Sequence, residues 1–181
     1  MAIRSEDEAR RHMLSILPDP EEREKCLNVF ADAIDRANGH SRDNWAVTHA
    51  KGKVRLIVGH VIVCTLKNRP EHGPLWIALD KKLLGTLSDR SKIDRSGDWE
   101  WDTVSKKEVR EYSSIGSRNG FYRPSGRHAK VWPAIKPLFF ESIFKAATQT
   151  TMDPATPKGH TPEILKYLRG ELRRPVPDPV Y

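Results

Sequence analysis

Within residues 118–130 the chain gathers Arg118, Arg123, Arg127, Lys130 and His128 around two adjacent aromatics, Phe121 and Tyr122. Cations at this density neutralise phosphates, and a ring beside them can stack on a base that is single-stranded or turned out of a duplex. Gly120 and Gly126 in the same stretch would let the backbone come close to a ligand. The segment is therefore expected to bind nucleic acid, with Arg118, Arg123, Arg127 and Lys130 on the sugar-phosphate backbone and Phe121 or Tyr122 on a base. The competing reading is a solvated loop whose rings close the edge of the core.

The chain has five tryptophans, Trp45, Trp76, Trp99, Trp101 and Trp132. Trp99 and Trp101, flanked by Asp98, Glu100 and Asp102, suit an exposed aromatic wall. With Trp45 they are the expected lining of a pocket for a modified or flipped base. Ordinary core packing is the alternative for Trp45, as it is for Trp76 and Trp132.

A second kind of chemistry can be drawn from carboxylates. Asp80, Glu100 and Asp102 could hold Mg²⁺ as in a small metal-dependent nuclease, with Lys81 or Lys82 assisting. Those lysines directly follow Asp80, however, and an acidic-x-Lys arrangement on one strand is missing. The seven histidines show no His-x-His or His-x-x-x-His spacing, so no metal site is expected. His40, His49 and His60 could meet at one end of the strands, but histidines satisfied in loops or core are the simpler reading. Gly-x-x-x-x-Gly-Lys, Gly-x-Gly-x-x-Gly and Gly-x-Ser-x-Gly are all missing, so neither nucleotide hydrolysis nor serine esterase chemistry is indicated, and no cofactor is expected.

These groups need a scaffold, and 181 residues suffice for one core. Residues 1–40 carry six Lys or Arg against nine Asp or Glu, so the net charge of +7 comes from the remainder, which carries +10. A basic body with an acidic start points to a polyanionic partner. No apolar run approaches the roughly 18 residues of a membrane span, and the early acidic residues Glu6, Asp7 and Glu8 do not fit a secretory signal. A cytoplasmic location without membrane association is expected. Cys26 and Cys64 each lie in an apolar-periodic segment and are expected as buried free thiols.

Ser5 with Glu8 forms a capping-box pattern before a helix ending near Leu17-Pro18. Asp19-Pro20 starts a second, with Leu27, Phe30, Ala31, Ile34 and Ala37 on its apolar stripe and Asn38-Gly39 as its stop. From Asn44 the period becomes two. Trp45 to Thr48, a Lys51-Gly52 turn, Val54 to Val58, Val61 to Cys64 and Leu75 to Leu79 read as antiparallel strands, with a bend or bulge at Gly59-His60. Residues 98–102 suit an edge strand paired with Tyr112 to Ile115, and residues 136–148 a helix with Pro137 in its first turn. The expected architecture is α+β. An antiparallel, partly closed, barrel-like sheet is packed by two N-terminal helices and one C-terminal helix. One domain spans 1–148 (helical 1–40, sheet 44–115, loop plus helix 116–148), and 149–181 is an extended Pro-rich tail with a short helix about 162–172.

Two stretches carry a resemblance: Trp45-Ala46-Val47-Thr48 with Val54-Arg55-Leu56-Ile57-Val58-Gly59, and Gly120-Phe121-Tyr122-Arg123-Pro124-Ser125 followed by Trp132-Pro133-Ala134-Ile135. Together they resemble the N-terminal modules that precede HNH nuclease domains in modification-dependent restriction endonucleases. The resemblance spans about residues 25–148 at the level of pattern and implies a DNA-reading module. It does not imply catalysis, because an HNH-type histidine pair and zinc-binding cysteines are missing from the chain.

The expectation is a DNA-binding recognition module of a restriction or defence system, without its own catalytic motif. DNA is favoured over RNA as the partner, and any nuclease domain would be separate or lie beyond residue 181. The alternatives are the nuclease using Asp80, Glu100 and Asp102, and a protein-interaction adaptor using the helix at 162–172.

Overall fold

The fold is described by a computed structural model over residues 3–68, 73–84, 86, 99–100, 112–116, 132–154 and 162–171. Helix α1 (Glu6–Ile16) starts where Ser5 Oγ accepts the Glu8 N–H at 3.2 Å. Glu8 answers with Oε2, which accepts from the Arg4 N–H rather than from that of Ser5. Helix α2 (Pro20–His40) starts at Asp19, whose Oδ1 accepts the Glu22 N–H at 2.7 Å, with Pro20 in the first helical position. It runs past the expected stop. Gly39 keeps helical backbone, and Ser41 closes the helix by donating its N–H to Ala37 O. On the buried side Ala33 takes the place expected for Ala31, and Cys26 and Val29 widen the stripe. The arc is broad because more than one element covers α2.

Strands β1 (Trp45–Ala50), β2 (Lys53–Val58), β3 (Val61–Lys67), β4 (Leu75–Asp80), β5 (Trp99–Glu100) and β6 (Tyr112–Gly116) form one antiparallel sheet in the order β1-β2-β3-β4-β6-β5. Of the edge strand expected over residues 98–102, Trp99 and Glu100 are described and pair with β6, Trp99 lying opposite Ile115, while the other three lie outside the described residues. Among the described residues β1 and β5 are the two edges and no pairing joins them, so the sheet is open there.

Gly59-His60 is a two-residue turn and not a bulge. Val58 pairs with Val61 across it, and Gly59 has φ +58, the positive value that the first central position of a type II′ hairpin turn requires. The irregularity lies further along, where Leu56 faces Cys64 and Ile57 faces Ile62, leaving Val63 as the extra residue. That bulge makes Val63 and Cys64 both buried.

One face of the sheet carries Val54, Leu56, Val58, Leu66, Ile77 and Leu79, all buried. Against it lie α2 and α4 (Trp132–Gln149), which also pack on each other. Helix α4 contributes Ile135, Phe139, Ile143 and Ala146, the spacing expected from the sequence. It begins four residues before the expected start, which places Pro137 inside the helix with its ring on the exposed side. Helix α3 (Lys81–Leu84) is a single turn after β4.

Helix α5 (Pro162–Leu168) packs on α1 and α2, with Ile164, Tyr167 and Leu168 buried in the same core cluster. It stops short of residue 172 because Gly170, at φ +90, forms a Schellman ending: its N–H bonds Tyr167 O and the Glu171 N–H bonds Lys166 O. Both cysteines are free and buried, as expected. Burial pushes the Cys64 thiol well above its ordinary range. No helix among the described residues is long and apolar enough to cross a membrane.

One polar joint ties the far end of the first hairpin to α4. Asn44 Nδ2 donates to Ala147 O (3.0 Å) and Thr150 O (2.8 Å), while its Oδ1 accepts the Met152 N–H (2.9 Å). Thr150 Oγ1 donates to Ala146 O and accepts the His60 N–H. The hairpin is thereby held at its Gly59 end.

Candidate nucleic-acid interface

The opposite end of the first hairpin is the turn Ala50-Lys51-Gly52-Lys53, with Ala50 paired to Lys53 and Gly52 at φ +71. Strand alternation places Val54, Leu56 and Val58 on the helix-covered face and turns Lys53, Arg55 and Ile57 to the other. The register then sets Lys67 directly opposite Lys53, and Thr65 opposite Arg55. Three cationic side chains thus share one face across two strands. Among the described residues none of them pairs with a carboxylate.

The crowding is visible in Lys53, whose pKa is lowered chiefly by the Arg55 charge, then by desolvation and by Lys67. Arg55 is half-buried, and its Nε is buried without a hydrogen-bond partner. Like charges directly opposite one another destabilise a sheet. A strip that tolerates them is electrostatically suited to a ligand that supplies negative charge.

On the helix side of the same turn, His49 of β1 meets His12 of α1 edge to face, with ring centroids 6.0 Å apart. His12 is only 6% exposed. Burial, and then the His49 charge, lower its pKa, while a hydrogen bond to the Lys53 backbone opposes them. A cleft of about 430 Å³ opens beside this pair, lined by Ile3, Glu8, Arg11, His12, Ser15, Lys51 and Gly52. The turn therefore bears cations on both sides of the sheet.

Of the residues expected from the sequence to bind nucleic acid, Arg118, Phe121, Tyr122, Arg123, Arg127, His128 and Lys130 all lie outside the described residues, as does Trp101. Trp99 is described by its backbone alone, at the β5 edge. Trp45 packs partly buried against the core cluster and sets its Nε1 3.3 Å from Asn38 Oδ1. Trp76 is buried, in keeping with the core alternative.

His40, His49 and His60 do not meet. His49 lies opposite Val54, whereas His60 follows Val58 at the other end of β2, and His40 stands edge-on to Phe144 at 5.0 Å.

Asp80 has structural partners. Its Oδ1 accepts the N–H groups of Lys82 (2.8 Å) and Leu83 (3.0 Å), capping α3, and its Oδ2 lies 3.7 Å from Lys145 Nζ. The Asp80 N–H donates to the buried Ser142 Oγ. Glu100 pairs with Ser114 and Asp80 with Tyr112, so their backbones are two strands and two residues apart. Strand spacings make that roughly 12 Å, and Asp102 lies outside the described residues. No group of three or more His, Cys, Asp or Glu able to hold a metal occurs among the described residues.

The basic strip was not singled out from sequence. Its signal was present in the alternation Lys53-Val54-Arg55-Leu56, which puts two cations on one face of a strand. The third member, Lys67, emerges only from the register.

No known family, curated protein or solved structure matches the chain.

Proposed function

We propose that the protein is a DNA-binding recognition module, reading a modified or flipped base, with the β1–β2 turn as part of its phosphate-gripping surface. The observation that supports this most directly is the strip of Lys53, Arg55 and Lys67, which no carboxylate neutralises among the described residues. Phosphates contribute affinity and register without sequence information, so such a strip would position a duplex and leave base reading to other groups. In this reading the segment 118–130 supplies them: Arg118, Arg123, Arg127, His128 and Lys130 extend the grip, and Tyr122 or Phe121 stacks on the base.

Trp99 and Trp101 complete the pocket, and Trp45 supports it from the core side. The resemblance to the DNA-reading modules of HNH-type modification-dependent restriction endonucleases belongs to this proposal, as does a barrel-like closure of the sheet. So do a cytoplasmic location and a nuclease partner or domain that is separate from this chain. The nuclease alternative is weakened by the commitment of Asp80 to α3 and Lys145. The adaptor alternative is weakened by the burial of Ile164, Tyr167 and Leu168 within the protein itself.

The test is a binding panel of matched modified and plain duplexes with the Tyr122→Ala variant alongside. Loss of a stacking ring costs on the order of 1–3 kcal/mol, and preference for the modified base should vanish with it. A variant that binds both duplexes as the wild type does would remove the stacking assignment.

A further inference from the structure

The strip of Lys53, Arg55 and Lys67 carries nucleophiles as well as charge, since two of its three cations end in amines. Lys53 stands directly opposite Lys67 on β3, and Arg55 follows two places along β2 on the same face. Strand geometry sets the Lys53 and Lys67 Cα atoms about 5 Å apart and those of Lys53 and Arg55 about 7 Å apart, within reach of such side chains. Lys67 meets Arg55 only on the diagonal, because Arg55 faces Thr65. Lys53 is therefore the member with a cation on two sides.

That position changes its amine. A proton on Lys53 adds a like charge beside two others, so the neutral form is favoured: its pKa is lowered, chiefly by Arg55, then by burial and Lys67. A neutral amine is a nucleophile. Lys25, Lys145 and Lys166 are set differently, at 2.6 Å from Glu21, 3.7 Å from Asp80 and 3.6 Å from Glu6, and Lys53 has no such carboxylate among the described residues. Lys53 is partly exposed. Its Nζ makes no hydrogen bond or ion pair among the described residues and, unlike Arg55 Nε, is not closed off from solvent, so a reagent can reach it.

The neighbours also select the reagent. Arg55 and Lys67 offer charged donors that no described carboxylate occupies, and such a pair draws in a phosphoryl group. An electrophile that joins an acyl carbon to phosphate suits the amine and the cations together. We infer that Lys53 is a site of acylation by acyl phosphates, with Arg55 and Lys67 holding the phosphoryl group while Lys53 Nζ attacks the acyl carbon. The N–C bond forms as the C–O bond to phosphate breaks. Phosphate leaves with that electron pair, and the proton lost by the nitrogen passes through water to it. The product is an uncharged N-acyl lysine, which leaves the strip two cations. The inference stands independently of the nucleic-acid reading.

The experiment exposes the folded full chain to acetyl phosphate at mildly alkaline pH and low salt, and peptide mass spectrometry follows acetylation of each lysine with time. Acetic anhydride, a donor without charge, is run in parallel. Cation clusters concentrate anions by on the order of tenfold, so Lys53 should react with acetyl phosphate about tenfold faster than Lys25 and Lys166, and its advantage should be clearly smaller with the anhydride. Inorganic phosphate, against sodium chloride at matched ionic strength, should protect Lys53 from acetyl phosphate and not from the anhydride. Lys67→Gln and Arg55→Gln should each slow the reaction of Lys53 with acetyl phosphate about threefold or more. If Arg55→Gln fails to fold, Lys67→Gln and the comparison of donors on the wild type still decide. Acetylation of Lys53 no faster than that of Lys25 and Lys166, an equal advantage with both donors, or unchanged rates in the folded variants would overturn the inference.

Discussion

Replacing Gly59 by alanine attacks the joint that fixes the first hairpin to α4. The backbone there has φ +58, which an L side chain adopts at a cost of about 1–2 kcal/mol. The added Cβ would also lie 1.7 Å from Thr150 Oγ1, 2.7 Å from Ala146 O and 2.9 Å from Thr150 Cβ. The Thr150 hydroxyl can move only by giving up its bonds to Ala146 O and the His60 N–H, and Ala146 O is backbone within α4. Overpacking of this kind adds about 1–3 kcal/mol, so Gly59→Ala should lose about 2–5 kcal/mol in all. A loss of about 3 kcal/mol would lower Tm by roughly 6–12 °C in a chain of this size. Urea unfolding followed by circular dichroism measures it, with Thr150→Ala as the partner in a double-mutant cycle. Thr150→Ala alone should cost about 1–2 kcal/mol through its two hydrogen bonds. Combined with Gly59→Ala it should cost less than the sum by about 1 kcal/mol or more, because the hydroxyl clash is gone. A Gly59→Ala protein within about 1 kcal/mol of the wild type, or strictly additive losses, would refute the close packing of the turn on α4.

Asn44→Ala should be as damaging by another route, removing bonds to Ala147 O, Thr150 O and the Met152 N–H for about 2–4 kcal/mol by urea unfolding. His12 has a depressed folded-state pKa, so below the ordinary value of 6.5 the unfolded chain takes up a proton that the folded chain refuses. Stability should therefore fall as pH drops from 6.5 toward the lower folded value, and His12→Gln should flatten that part of the wild-type profile. Arg55→Gln should raise the Lys53 pKa toward its ordinary value, read from the Nζ resonance across a pH titration, since Arg55 is the main cause of its depression. Asp80→Ala should lower the unfolding midpoint through loss of the α3 cap and the Lys145 partner. Mg²⁺- or Mn²⁺-dependent cleavage of DNA that disappeared with this substitution would favour the nuclease.

The helix starts were legible because caps are local: Ser5, Asp19 and Pro20 act on N–H groups within three residues. The Lys51-Gly52 turn was legible for the same reason. Gly39 misled, since glycine is a stop only where the backbone turns to positive φ, and here α2 continues with cover from α4 and α5. The bulge at Val63 was hidden because Val61-Ile62-Val63-Cys64 is apolar throughout and shows no period of two. The site was harder still. His12 and His49 meet across 37 positions, and Lys67 joins Lys53 and Arg55 only through a register that the bulge helps to set. Asp80 looked like a metal ligand because an N-cap and a metal ligand use the same carboxylate, and the backbone N–H groups that occupy it leave no mark in a sequence.

The most direct test of the central claim is the salt dependence of duplex binding by the wild type and by the triple variant Lys53→Ala, Arg55→Ala, Lys67→Ala. Fluorescence anisotropy with one short labelled duplex, from about 50 mM to about 200 mM salt, gives the slope of log affinity against log salt, to which each phosphate contact contributes about 0.9. If the strip grips phosphates, the triple variant should bind more weakly and its slope should be shallower by about 2.7, with the unfolding midpoint no lower than that of the wild type. An unchanged slope and affinity in a folded triple variant would contradict the assignment of the β1–β2 turn as a nucleic-acid surface.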